Sequence, residues 1–389
     1  MKFLRRLFLV YSDQYLDWKL GAGDGSHATN PKRAEIAVAM LTERLGEQAI
    51  VVEPAPVETE QADRSALELV HTEAYIERTL SGDNYQWDGH KPAVAAAGFA
   101  MFRGTLRAVE LILAGLAKVV FNPQGAKHHA YPDHSSGFCV FNDMAAAAKL
   151  FQAAGLRPLY IDWDIHAGDG VMHTLKDSGV PCISIHVSTI FPLDRAMQTF
   201  GGRGEVHDES QHRYNFNVLH GDGDEQFKQA IDAAADVIDR YRPDVILVAA
   251  GADGHTGVGN LGTIANYTSE GFKYAAEMVA EITAAMDFIS ETPEVRAVVL
   301  TGEGKVFCAG ADLKGRSSII KGPGDLPAHS RRTRECFHAI RECTKPVIVA
   351  INGPALGAGL AIAASADLII TSEKGSLALP EIDVGLLGG

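Results

Sequence analysis

Short apolar runs alternate with longer amphipathic or alanine-rich stretches along most of the chain. Leu7–Tyr11, Lys118–Phe121, Arg157–Ile161, Pro181–Val187, Tyr214–Val218 and Asp244–Ala250 have the length and side chains of strands. A further strand is ended by Pro54 and Pro56. Between the strands, helical patterns cover Ala34–Leu45, 65–80, 93–117, Asp143–Ala154 and Asp224–Arg240. Asn142 is placed to cap the helix Asp143–Ala154 and Gly155 to end it. Strands separated by helices predict an α/β fold with a parallel sheet and crossover connections.

One stretch breaks the pattern. GAKHHAYPDHSSGFCVFND (Gly125–Asp143) has no helical period and is rich in Gly, Pro, His, Ser and Asp, so it reads as a long functional loop. From about Ile282 the text changes again. TAAMDFISETPEVRAVVLTGEGKVFCAGADLK reads as helix, strand and Gly-rich turn, and KPVIVAINGPALGAGLAIAASADLIIT as strand, turn, helix and strand. Lys321–Ser330 is Gly/Pro-rich and reads as an exposed loop. No linker separates the two parts.

The 389 residues are 46% hydrophobic and carry a net charge of −14, which argues against non-specific nucleic-acid binding. A cationic protein or polyamine remains compatible with it. The five cysteines form no CxxC pair, so neither a disulfide framework nor a cysteine–zinc module is expected, and a reducing cytoplasm fits. MKFLRRLFLV has a short apolar run broken by Arg5 and Arg6 and reads as a first strand rather than a signal peptide. No apolar run reaches the ~20 residues that span a bilayer, so no membrane association is expected.

The candidate chemistry centres on LYIDWDIHAGDG (Leu159–Gly170). Read as a strand end, it sends Asp162, Asp164 and His166 the same way, because alternate residues of an extended chain share a face. Asp253 also follows a strand, and ligand sites in parallel sheets form beyond the carboxyl ends of strands. Asp164, His166 and Asp253 make an Asp₂His set that leaves a divalent metal one open position. His128 and His129 suit general acid–base work, with Asp162 and Asp169 as carboxylates to orient them.

AKHHAYPDHSSGFCVFND, YIDWDIHAGDGV, ISIHV with FP following, VAAGADGH and LGTIANYTSEGF resemble the histone deacetylase family, particularly its acetoin-utilisation and acetylpolyamine amidohydrolase branches. The resemblance covers about residues 5–280 and implies an arginase/deacetylase fold, a parallel sheet with helices on both faces. It implies zinc (Zn2+) ligation by Asp164, His166 and Asp253, and catalytic roles for His128 and His129 with Asp162 and Asp169. Gly137 and Phe138 would line the acyl-lysine channel, and a monovalent cation such as K+ would sit near Asp162 and Ser184. The family's Gly-Gly-Tyr motif, whose tyrosine polarises the amide carbonyl, occurs nowhere in the chain, and the family's last strands are missing.

CAGADL, NGPALGAG and PEIDVGLLGG resemble the crotonase family, the enoyl-CoA hydratases and isomerases, over about Thr283–Gly389. The resemblance implies oxyanion-hole amides at Ala311 and Ala358 and a candidate acid/base at Glu381. Ala361 occupies the position of the second hydratase glutamate. The domain reading is therefore 1–280, deacetylase-like and incomplete at its C-terminal side, joined to 283–389, a crotonase-like segment incomplete at both ends. The leading function is a zinc amidohydrolase acting on acetyl-lysine or an acetylpolyamine. The alternatives are an acyl-CoA hydratase or isomerase, or an inactive truncated fusion. Strands Val295–Leu300 and Val347–Ile351 are expected to cover the open edge of the deacetylase sheet.

Overall fold

The computed structural model describes residues 6–20, 30–54, 60–194, 196–197, 203–257, 264–276, 298–301, 346–356, 358–371 and 375–378. The chain divides into two compact units, Met1–Phe272 and Lys273–Gly389.

In the first unit, β1 (Leu7–Val10) pairs in parallel with β2 (Ala49–Val52) and β3 (Val120–Phe121). Helix α1 (Lys32–Leu45) connects β1 to β2. A stretch expected as one helix over 65–80 is two, α2 (Glu60–Glu68) and α3 (Glu73–Leu80). Thr72 causes the break: its backbone is extended, and its N–H donates to the Pro132 carbonyl of the histidine loop at 2.8 Å. The long α4 (Pro92–Leu113) is alanine- and glycine-rich because other elements press close on it. A Cβ on Gly98 would lie 3.2 Å from the Trp18 ring.

The second sheet of this unit holds β4 (Pro158–Asp162), β5 (Cys182–Val187), β6 (Gly204–Asp208), β7 (Arg213–Val218) and β8 (Val245–Ala249) in the order β6-β7-β5-β4-β8. All neighbours are parallel except the β6–β7 pair. β6, sequence GEVHD, is a short, charged, partly exposed strand with no hydrophobic run to announce it. Every residue of β4 and β5 is buried, which requires both faces to be covered. The covering helices are α5 (Asp143–Ala153), α6 (Asp169–Leu175) and α7 (Asp224–Tyr241). Fully buried Phe102, Phe141, Phe151, Phe227 and Tyr160 dominate the interior, each worth ~1.5–3 kcal/mol of apolar burial. β8 is as apolar as β4, yet Val245–Val248 are only half-buried, and among the described residues β8 pairs with β4 alone.

In the second unit, β9 (Val298–Thr301), β10 (Val347–Ile351) and β12 (Leu368–Thr371) form a parallel sheet of order β12-β10-β9. β11 (Pro354–Leu356) pairs with β13 (Ser376–Ala378), and α8 (Ala358–Ala364) follows β11. Val349, Ile351, Ala355 and Ala363 form its buried core. β9 and β10, which overlap the strands expected to cover the open edge of the deacetylase sheet, hydrogen-bond to one another, and β10 also to β12. No helix among the described residues is long and apolar enough to cross a membrane.

Candidate active site

β4 ends at Asp162, and strand alternation ends with it. Asp162 is fully buried and faces His128, not the other two acids. Beyond it the chain turns twice: the Asp164 N–H donates to Asp162 Oδ1 at 3.0 Å, and the His166 N–H donates to Asp164 Oδ1 at 2.9 Å. Asp and Asn side chains favour such turns because they bond a backbone N–H two residues on. Asp164 and His166 therefore converge through local turns, which corrects the expectation that one extended strand aims all three side chains together.

Asp253 arrives from the turn after β8, and its Oδ1 accepts from the Ile165 N–H at 3.1 Å. His166 Nδ1 lies 2.9 Å from both Asp164 Oδ1 and Asp253 Oδ2. One ligand atom from each of the three residues falls within 4.8 Å of the others. Gly251 permits this approach, since a Cβ there would come within 2.5–2.7 Å of Asp164.

The electrostatics fit a cation. Burial alone would raise Asp164, but the imidazoles of His128 and His166 outweigh it and hold the carboxyl below its ordinary range. Burial, then the neighbouring Asp164, pushes Asp253 up to about 6. Burial would lower His166, but its hydrogen bonds to Asp164 and Asp253 prevail and raise it to about 10. Two carboxylates facing one imidazole nitrogen form a donor set of the N/O type that zinc or ferrous iron takes.

The histidine loop enters beside this cluster. His128 Nδ1–H donates to Asp162 Oδ2 at 2.7 Å, and His129 Nδ1–H donates to Asp169 Oδ1 at 2.6 Å. Asp162 Oδ2 also accepts the Tyr160 hydroxyl at 2.5 Å, and Asp169 Oδ2 the Tyr131 hydroxyl at 3.2 Å. Both histidines are buried, with ring centroids 3.9 Å apart. Their titrations diverge. Burial would lower His128, but Asp162 and Asp164 overrule it and raise the imidazole to about 9. Burial, then the neighbouring His128, lowers His129. His128 Nε2 is 4.0 Å from Asp164 Oδ2, so the pair adjoins the three-ligand cluster.

Gly137 and Phe138 occupy a left-handed turn, with φ of 51° and 64°. A side chain on Gly137 would strike the His129 ring. Phe138 is 46% exposed, and half-exposed Phe191 meets the His129 ring edge-on at 5.1 Å. Ser184 is paired with Asp162 across β4 and β5, and its hydroxyl lies 2.9 Å from His186 Nδ1. Three residues here were not singled out from the sequence: Arg33, Lys127 and Trp18. NPKR ahead of the first long helix and the lysine abutting the histidine pair were the available signals.

Residues 27–292 match the family model for the histone deacetylase domain. The chain belongs to the histone deacetylase family. Residues 274–389 of this deacetylase-family chain match the model for enoyl-CoA hydratase/isomerase. The acetoin utilization protein AcuC of Bacillus subtilis is 32% identical over 216 residues, 50% of this chain and 54% of that protein. The Mycobacterium tuberculosis protein named "Probable enoyl-CoA hydratase EchA14" is 48% identical over 96 residues, 24% of this chain and 36% of that protein. The chain thus spans about half the length, or less, of these curated relatives. The crystal structure of the HDA15 HD domain shares the fold, with a TM-score of 0.60 at 22% identity over 72% of this chain and 82% of that one.

In the hydratase-like segment, Ala358 is the first residue of α8. Ala311, Glu381 and the loop Lys321–Ser330 lie outside the described residues.

Proposed function

We propose that the first unit is a metal-dependent amidohydrolase that removes the acyl group from an acylated amine, with acetyl-lysine or an acetylpolyamine as the simplest substrates. One observation carries the reading: two buried imidazoles, each on its own carboxylate and shifted in opposite directions, adjoin an Asp₂His cluster. A zinc ion held by Asp164, His166 and Asp253 would supply Lewis acidity and make water nucleophilic near neutral pH. His129, neutral at that pH, accepts the proton of the attacking water, and Asp169 fixes its tautomer and stabilises the imidazolium. His128, positively charged beside Asp162, donates a proton to the leaving amine. Such acid–base help contributes roughly 10²–10⁴ in rate.

Gly137 and Phe138 would flank the acyl chain as it reaches His129. Asp162 and Ser184 are the residues proposed to hold a monovalent cation. At the site the Tyr160 and Tyr131 hydroxyls are engaged by Asp162 and Asp169. With the family's carbonyl-polarising tyrosine missing from the sequence, the rate should fall short by about 10²–10³, the usual cost of one oxyanion donor.

We place the joint between the two families near residue 280, giving 1–280 and 283–389. For the second segment we propose acyl-CoA thioester binding through the amides of Ala311 and Ala358. Glu381 is the candidate acid/base group there, and alanine at position 361 argues against water addition. The test of the main reading is hydrolysis of an acetyl-lysine peptide by the zinc-loaded chain. Activity that disappears in His129→Ala is expected, and activity unchanged in that variant would refute the assignment.

A further inference from the structure

An open groove of about 330 Å³ lies where the α2–α3 junction, α5 and α6 meet the histidine loop. Three basic side chains line it: Lys149 of α5, His173 in the last turn of α6, and Lys176 at the C-cap of α6. Glu68, the last residue of α2, is the one carboxylate among the described lining residues. It is paired with Arg64, whose Nε lies 3.5 Å from Glu68 Oε1. The Lys149 ammonium donates to the Leu69 carbonyl at 2.7 Å, a neutral partner. Among the described residues neither Lys149 nor Lys176 makes an ion pair.

The basic groups act against one another. Partial burial lowers Lys149, and no carboxylate raises it. Burial, then Lys176 and Arg213, lowers His173, with Asp133 opposing in part. In a chain of net charge −14, such a local excess of positive charge attracts anions. Lys176 answers the dipole of α6, which accounts for its own position and not for the company of Lys149 and His173. Thr72 adds a hydroxyl: it opens α3, yet its side chain makes no capping hydrogen bond. The inner wall of the groove belongs to the active-site loop. The Thr72 N–H donates to the Pro132 carbonyl at 2.8 Å, and His71 Nε2 accepts the Asn142 N–H at 2.9 Å. Tyr131, next to Pro132, packs on the His173 ring at 5.0 Å and donates its hydroxyl to Asp169.

We propose that this groove binds a phosphate monoester, its phosphate held by Lys149, Lys176, His173 and the Thr72 hydroxyl, and that the bound ester braces the histidine loop. A monoester carries about −1.5 to −2 charges at pH 7, which matches two ammonium groups. Lysine meets phosphate as a point charge and needs no planar bidentate geometry. The volume of about 330 Å³ exceeds what a phosphate ion fills, and Leu69, Val70 and Pro132 line the groove beside the charged groups, as an organic substituent requires. The site stands apart from the amidohydrolase reading and needs no metal.

The test titrates phenyl phosphate, inorganic phosphate and benzoate into the full chain, with binding read by calorimetry before and after zinc is removed. Phenyl phosphate is expected to bind equally in both conditions. Its affinity should fall about tenfold when Lys149→Gln is combined with Lys176→Gln. It should hold when Arg107→Gln is combined with Lys228→Gln, which removes two charges outside the groove. Lys176 is exposed, so Lys176→Gln alone should melt as wild type and still lose affinity by about threefold. Inorganic phosphate should bind more weakly, and equal binding would overturn the ester assignment in favour of a site for free phosphate. Benzoate binding as tightly as phenyl phosphate, no binding of either phosphate, or an affinity untouched by the lysine substitutions would overturn the site. Binding that disappears with the zinc would also overturn it, placing the phosphate on the metal. Saturating phenyl phosphate should slow hydrogen exchange at the Thr72 amide, and unchanged exchange there would overturn the bracing of the loop.

Discussion

At the scale of single residues, the two histidines show how geometry divides labour between identical side chains. Rings 3.9 Å apart cannot both be imidazolium cheaply, so the one with more negative charge around it holds the second proton. His128 has Asp162 and Asp164; His129 has Asp169, whose other oxygen already receives the Tyr131 hydroxyl. Replacing His129 with alanine should cost roughly 10²–10⁴ in the rate of amide hydrolysis. Replacing Asp169 with asparagine should move the pH–rate profile, a readout that simple misfolding would not give. Two other buried histidines make a separate prediction. Burial, the largest influence on each, lowers His71 and His186 from 6.5 to about 4. Both stay neutral in the folded chain while the unfolded chain binds protons below its own pKa. Stability is therefore full above pH 6.5 and is lost as pH falls toward 4, on the order of 3 kcal/mol for each histidine. Urea midpoints measured across that range should fall, and His71→Gln should remove part of the fall.

At the scale of elements, the site depends on how the histidine loop is pinned. Asn142 accepts from the Ala145 N–H at 3.0 Å to cap α5, and its amide donates to the Ala130 carbonyl at 2.8 Å, one residue after His129. Asn142→Ala loses the cap and leaves a buried carbonyl unanswered, a cost of about 2–4 kcal/mol by chemical denaturation. Gly170, in the first turn of α6, lies against the same loop: a Cβ would be 2.5–2.7 Å from backbone atoms of His128, His129 and Ala130. Gly170→Ala should destabilise by ~3 kcal/mol or more and displace the histidines. Much of this level was legible. Apolar runs and caps located α5, β4, β5, β7 and β8 to within a residue or two of the structure. What was hidden has physical reasons. β6 is charged and among the described residues pairs with β7 alone, α6 begins inside a glycine-rich turn, and the break between α2 and α3 is set by a hydrogen bond to Pro132, far away in sequence. The convergence of Asp164 and His166 was foreseen for the wrong reason, because a strand period cannot reveal side chains that cap their own turns.

At the scale of the whole molecule, the chain joins two family segments, each shorter than its relatives. Motifs made the join visible in the sequence. The pairing partners of the strands after it were not visible, because apolar runs such as AVVL and VIVAI fit any parallel sheet. Lys127 and Trp18 stayed silent for a related reason: their burial side by side is set by the fold and leaves no pattern in the chain. The first unit should gain stability from bound metal. Zinc at 100 times its dissociation constant should add about 2.7 kcal/mol, visible as a higher melting temperature that a chelator reverses.

The most direct test of the central claim is the zinc content of the purified chain after dialysis, measured beside the Asp253→Ala and His166→Ala variants. One zinc bound per wild-type chain and none in either variant is the predicted result. Wild-type chain that retains no metal, or variants that retain as much as wild type, would contradict the assignment of Asp164, His166 and Asp253 as the metal-binding set.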